Sequence, residues 1–235
     1  MLPIRLDVTD AGAAGSALDL AREAFGRIDV VVNNAGYANV SPIETTADDD
    51  FRTQFETNFW GVYNVSKAAI PVLREQGGGL IVQFSSVGGR VGGSPGIASY
   101  QAAKFAVDGF SRVLAVETAP FGISVMVVEP SGFATDWAGS SMTVRDVPSG
   151  YEQTVGAMNS RMRQNSDGPA GDPVRGAEII VGVVHSERVP SHLLLGVNAV
   201  TMSLAYSRSQ LEEASRWAEV SRSADFAEPY PAPLP

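Results

Sequence analysis

Apolar and polar positions along the chain follow two alternating periods. Short runs rich in β-branched residues, at 2–8, 28–32, 80–84, 124–128 and 192–197, are separated by longer segments whose apolar residues recur every three or four positions. A parallel strand is buried on both faces and reaches its parallel neighbour through a helical crossover, so this alternation predicts an α/β parallel sheet covered by helices. Thr9 and Asp10 cap a first helix carrying Leu18, Ala21 and Phe25 on one face, and Gly26 closes it. Thr46, Ala47, Asp48 and Asp49 resemble a capping box that opens a long second helix. Its stripe is Phe51, Phe55, Phe59, Val62 and Ala69, and Gly77, Gly78 and Gly79 end it. Further helices are predicted over 98–119, stopped by Pro120 and Gly122, over 173–184 and over 199–220. Residues 133–172 have weak period and mixed polar, Met, Gly and Pro content, the look of a mobile lid. The expected organisation is one domain, 1–222, with an extended or disordered proline-punctuated tail, 223–235.

Composition narrows the function classes. The 235 residues are 44% apolar and 18% charged, as in a soluble globular enzyme. A net charge of −9 offers no electrostatic footprint for nucleic acid or an anionic membrane. The absence of cysteine removes disulfides, Cys-ligated zinc and cysteine nucleophiles together, and no residue spacing points to a metal site. Asp7 interrupts the start before a signal-peptide core can form, and no run approaches the roughly 18 apolar residues of a membrane span. A cytoplasmic location follows as the expectation.

Two constellations carry candidate chemistry. Gly92, Gly93, Ser94, Pro95 and Gly96 spell a nucleophile-elbow pattern, but the residue after the serine is a proline, which has no N–H for an oxyanion hole. His185 and His192 read as a helix-end and a strand-start residue. Tyr100 and Lys104, four apart, share one face of a predicted helix. An ammonium held close to a phenol favours the phenolate and lowers its ordinary value of about 10, which would let the pair move a proton near neutral pH. Ser86, at the end of the preceding strand, stands on the carboxyl edge of the sheet where doubly wound folds bind ligands, and could hold a carbonyl or alkoxide. Taken alone, the Tyr-Lys spacing arises readily on any amphipathic helix.

Several ordered motifs lift it above that background. Asn33-Asn34-Ala35-Gly36, Thr57-Asn58-Phe59-Trp60-Gly61, Ser85-Ser86-Val87-Gly88-Gly89, Tyr100-Gln101-Ala102-Ala103-Lys104 and Glu129-Pro130-Ser131-Gly132-Phe133-Ala134-Thr135-Asp136 follow one another along nearly the whole chain. This series resembles the short-chain dehydrogenase/reductases with a Tyr-x-x-x-Lys site. The resemblance implies a three-layer, doubly wound Rossmann-like fold and hydride transfer between NAD or NADP and a small carbonyl or secondary-alcohol substrate. It implies Tyr100 as general acid or base, Lys104 lowering its pKa and binding the nicotinamide ribose, Ser86 orienting the carbonyl, and Asn58 holding a helix kink and a relay water. It also implies Asp7 and Val8 at the adenine, Asn34, Ala35 and Gly36 along the adenosine ribose, Phe133 and Thr135 at the carboxamide, and assembly as a homodimer or homotetramer. The run 138–141 resembles the 17β-hydroxysteroid-dehydrogenase-like subgroup.

One departure stands against these matches. Family members open with a strand, a glycine-rich turn, a helix and a second strand, whereas this sequence opens on what resembles the third strand, and Ser131 replaces a usual glycine. The fold is therefore expected to be N-terminally truncated, with dinucleotide binding impaired. Two explanations are open: a start codon placed too far downstream, or a truncated, non-catalytic paralogue acting as a binding or scaffold protein. In the lid, Met142, Met158, Met162, Trp137 and Tyr151 suggest an apolar substrate surface or simply lid packing.

Overall fold

The computed structural model describes residues 1–138, 142–164 and 171–235. Among them, β1 (Val30–Asn33), β2 (Gly79–Phe84), β3 (Ile123–Pro130) and β4 (His192–Leu195) form a parallel sheet in sequential order. Helix α1 (Ala11–Phe25) precedes β1, α2 (Asp48–Phe55) and α3 (Gly61–Glu75) cross to β2, and α4 (Gly88–Val91) and α5 (Ala98–Thr118) cross to β3. Then α6 (Ala157–Gln164) and α7 (Pro173–Val184) cross to β4, and α8 (Val197–Arg216) and α9 (Ala218–Arg222) follow. No helix among the described residues is long and apolar enough to cross a membrane.

Side chains alternate across the sheet and build two cores. The register partners Val31, Ile81 and Val125 face Ala14, Val65, Ala69, Leu73 and Leu114, which places α1, α3 and α5 on one face. Leu80, Val82, Met126 and Val128 point the other way, against Ile180, Val183 and Val184 of α7. The result is a parallel sheet with helices on both faces, as the alternating periods predict, in the Rossmann-like three-layer arrangement that the resemblance implies. Asp10 caps α1 by accepting from the Gly12 and Ala13 amides at 2.8 and 3.0 Å, and Gly26 ends it in the left-handed conformation at φ 82°.

Several local expectations are corrected. Residues 2–8 form no strand: no neighbouring strand pairs with them, Leu2 and Leu6 stay exposed, and Val8 alone turns onto the core beside Gly61. The Thr46 capping box does not form, because Thr46 Oγ1 donates back to Pro42 O at 2.8 Å and leaves Ala47 at the cap. The Asp48, Asp49 and Asp50 carboxylates sit in the first turn of α2, where the helix dipole favours negative charge. The long second helix is broken by a π turn, Glu56–Trp60. The glycine loop after β2 contains the short α4, and the 133–172 segment holds a π turn, Glu152–Gly156, and α6. The last strand ends at Leu195 because Gly196, at φ 95°, turns the chain straight into α8. Positions 139–141 of the subgroup motif lie outside the described residues.

Candidate active site

The carboxyl ends of β1, β2 and β3 deliver three loops to one edge of the sheet, and α5 lies beneath them. Its buried face carries Tyr100 and Lys104 one turn apart. Ser85 Oγ donates to Lys104 O at 2.9 Å, fastening the β2 loop to α5, and Ser86 Oγ accepts from the Gly88 amide at 3.0 Å as α4 begins. The Ser86 hydroxyl also favours the ionised form of the Tyr100 phenol. Lys104 Nζ donates to Phe84 O at 2.7 Å and lies 5.6 Å from the centre of the Tyr100 ring.

Burial governs both titrating groups. Desolvation pushes the Tyr100 phenol up to about 12, only partly opposed by the Ser86 hydrogen bond, and pulls the Lys104 ammonium down to about 8. The net shift of Tyr100 is thus upward, and burial rather than Lys104 sets it. The ammonium is engaged by the Phe84 carbonyl, and Tyr100 is only 8% exposed.

Asn58 completes the cluster from the π turn. Its Nδ2 donates to Tyr37 O and Gln54 O, both at 2.8 Å, while its Oδ1 is buried without a partner among the described residues. That oxygen faces Gly36: a Cβ there would lie 2.6 Å from Asn58 Oδ1 and 3.4 Å from Lys104 Nζ, so only glycine lets the loop after β1 pack this closely against the π turn and α5. A buried amide network holds this loop. Asn33 Nδ2 donates to Gln83 Oε1 at 2.8 Å and to Ser66 Oγ at 3.1 Å, and Gln83 Nε2 donates to Ser66 Oγ at 2.9 Å.

The sequence-predicted residues thus separate into groups. Gly36, Asn58, Ser86, Tyr100 and Lys104 converge, and Asn34 and Ala35 lie just before Gly36. Asp7 is exposed, and the Thr9 hydroxyl and amide hold its carboxyl below the usual range; Val8 packs beside Gly61 and its carbonyl accepts from Asn64 Nδ2 at 3.1 Å. Phe133 turns its ring into the core between β2, β3 and α7, against Gly171 and Gly176, and exposed Thr135 accepts from the Trp137 amide at 3.4 Å.

Sequence reasoning missed Gln54, Ser66 and Gln83, polar residues spaced among apolar neighbours as if they were core. It also missed Glu129, fully buried at the end of β3, whose two oxygens accept from Arg90 Nε and Nη2 at 2.8–3.0 Å. A carboxylate closing an otherwise apolar strand was the available signal. His192 Nε2 meets Asp108 Oδ1 at 2.6 Å, and Arg112 Nε donates to Asp108 Oδ2 at 2.9 Å. Burial would raise the Asp108 carboxyl, yet these bonds hold it below its ordinary value. Asp108, Glu129 and His192 gather within 4.8 Å, but Arg90, Arg112 and the His192–Asp108 bond already engage them, so the cluster ties α5 to β3 and β4.

For a dinucleotide, the two ends of the site differ. The buried Lys104 ammonium and the orphaned Asn58 oxygen, beside a glycine whose lack of a side chain exposes its backbone to close approach, suit a ribose with its hydroxyls and the attached nicotinamide. The diphosphate finds no such seat among the described residues: carboxylates of Asp10 and of Asp48, Asp49 and Asp50 hold the N-termini of α1 and α2, and no glycine-rich turn leads a strand into a helix.

Residues 1–145 match the family profile of the short chain dehydrogenases. Oxidoreductase BOA17 of Botryotinia fuckeliana (strain B05.10) is 46% identical over 221 residues, which cover 94% of this chain and 80% of that protein. A short-chain dehydrogenase from Streptomyces avermitilis superposes with a TM-score of 0.85 at 34% identity, over 94% of this chain and 81% of its own. An alcohol dehydrogenase from the archaeon Thermococcus sibiricus, solved with 5-hydroxy-NADP, shares the fold at a TM-score of 0.64 and 23% identity, covering 81% of this chain and 72% of its own. The chain belongs to the short-chain dehydrogenases and is an oxidoreductase of the NAD(P)-dependent kind.

Proposed function

We propose that this chain interconverts a carbonyl and a secondary alcohol, with Tyr100 moving the proton. The observation that carries the reading is the convergence of Ser86, Tyr100, Lys104 and the unpartnered Asn58 oxygen at one edge of the sheet. Ser86 Oγ, whose influence already reaches the Tyr100 phenol, orients the substrate oxygen, and Tyr100 Oη gives its proton to that oxygen in reduction or takes it in oxidation. A phenol raised to about 12 is protonated at neutral pH, so the acid form that reduction needs is the resting form. Lys104 holds positive charge near the phenolate left behind and offers its remaining N–H groups to the ribose. The unpartnered Asn58 Oδ1 accepts from a water, through which Tyr100 recovers its proton. The nicotinamide, NAD or NADP, supplies or accepts the hydride when bound.

Asp7, Val8, Asn34, Ala35, Phe133 and Thr135 complete the cofactor contacts in this reading. The resemblance to the 17β-hydroxysteroid-dehydrogenase-like subgroup belongs to the same proposal, as do a domain of 1–222 with a separate tail and a cytoplasmic location. Phe105, Val113 and Val116, exposed on α5, support a homodimer or homotetramer. The test is turnover of ketones at saturating NADH or NADPH by wild type and Tyr100→Phe. Removing the proton donor lowers kcat by about 10²-fold or more and leaves cofactor affinity unchanged. Equal turnover by the two proteins overturns the reading.

A further inference from the structure

We propose that Trp137 determines which substrates reach Tyr100, and that it admits uncharged ketones or secondary alcohols bearing an aryl or branched-alkyl group beside the reacting carbon. The inference rests on the reading of Tyr100 as the proton-transfer group and goes beyond it to the substrate. Trp137 sits in a short turn, Asp136–Ala138, that leaves the carboxyl end of β3, and its ring centre is 5.2 Å from that of Tyr100 at an interplanar angle of 57°. The remaining wall around Tyr100 is Ala38, Val40, Ile97 and Val155, all buried, with Met142 and Tyr151 packed on it. The wall is tight: a Cβ on Gly96 would come within 2.8 Å of Val40 and 3.0 Å of Val155.

A carbonyl must touch the Tyr100 hydroxyl to take its proton, yet Tyr100 is nearly sealed and the indole is the largest side chain on the seal. The substituent of the substrate therefore takes the place of the Trp137 ring, exchanging one apolar contact for another. The wall side chains are apolar or aromatic, and the charged groups beside them are already engaged: Lys104 Nζ donates to Phe84 O at 2.7 Å, and Glu44 accepts from Tyr151 Oη at 2.7 Å, so a carboxylate in that place would lose its hydration and meet the Glu44 carboxylate nearby. An aryl or branched-alkyl group meets both conditions. Met158 and Met162 are not among the residues packed on this wall.

The experiment uses the full chain carrying Trp60→Phe and Trp217→Phe, which leaves Trp137 as the remaining one of three tryptophans. Acetophenone and para-acetylbenzoate, the same ketone without and with a carboxylate, are titrated against its emission, with and without Tyr100→Phe. In parallel, kcat/KM for acetophenone and acetone is compared in wild type, Trp137→Phe and Trp137→Ala. The proposal expects a saturable emission change with acetophenone whether or not the Tyr100→Phe substitution is present, and binding of para-acetylbenzoate weaker by about tenfold or more. It also expects the acetophenone-to-acetone ratio to rise by about tenfold in Trp137→Ala and to stay near wild type in Trp137→Phe. Equal binding of the two ketones, no emission change, or an unchanged ratio overturns it. Turnover that depends on Tyr100 without an emission response removes this inference alone, whereas a selective emission response without any turnover removes the Tyr100 reading and leaves Trp137 lining an apolar binding site.

Discussion

β1 and β2 are neighbouring parallel strands of similar apolar character with opposite surroundings. Leu80, Ile81, Val82 and Gln83 of β2 are buried on both faces, and the loop beyond them carries Ser85 and Ser86 into a closely packed cluster. Among the described residues β1 is the edge strand: Val31 is buried against α1 and α3, but Val32 is 50% exposed on the opposite face, outside the cluster that α7 covers. The candidate proton-handling groups lie between helices and sheet on the β2 and β3 side, while Val32 of β1 meets water on one face. Closure lets burial set the Tyr100 and Lys104 protons, and a region open to water has no such lever.

That contrast can be broken at several points. The largest effect is expected on the closed side from Arg90→Ala, which strands the fully buried Glu129 carboxylate and should cost about 3–5 kcal/mol in denaturant unfolding. Ile81→Ala, at a fully buried β2 position, should cost about 2–5 kcal/mol by the same measurement. Gly36→Ala drives a methyl onto Asn58 Oδ1 and toward Lys104 Nζ, so it should reduce turnover well before it alters the melting temperature. On the open side, Val32→Thr should shift stability by no more than about 0.5 kcal/mol, as at an ordinary surface position. A cost at Val32 comparable to that at Ile81 would show that the two strands are not differently placed in solution.

Much of this was legible in the sequence where local chemistry decides the outcome. Asp10 and Gly26 bound α1 as read, since a side-chain cap and a left-handed glycine act within a few residues. Tyr100, Lys104, Ser86 and Asn58 converge because each sits at a fixed offset from a strand or helix end. What failed depended on partners distant in the chain. Residues 2–8 have the composition of a strand, but a ladder needs a neighbour, and composition carries no information about whether one is there. Thr46 had two acceptable acceptors and donors within reach, a helix amide and Pro42 O, and tertiary context chose the second. Spacing places Lys104 near Tyr100 but reveals neither that Nζ is bound to Phe84 O nor how deeply the phenol is buried, and burial is what dominates the Tyr100 shift.

Burial sets the protonation of Tyr100 and Lys104, and the pH dependence of kcat for ketone reduction at saturating reduced nicotinamide tests this most directly. Tyr100, raised to about 12, keeps its proton throughout the neutral range, while Lys104, lowered to about 8, is charged below that pH and loses its charge above it. Reduction should hold steady below pH 8 and fall as pH rises through about 8, alcohol oxidation should rise with pH because it needs the phenolate, and Lys104→Met should abolish the limb near 8 while lowering kcat at neutral pH. A reduction rate that is level from about pH 6 to pH 10, or a limb near 8 that survives in Lys104→Met, contradicts it.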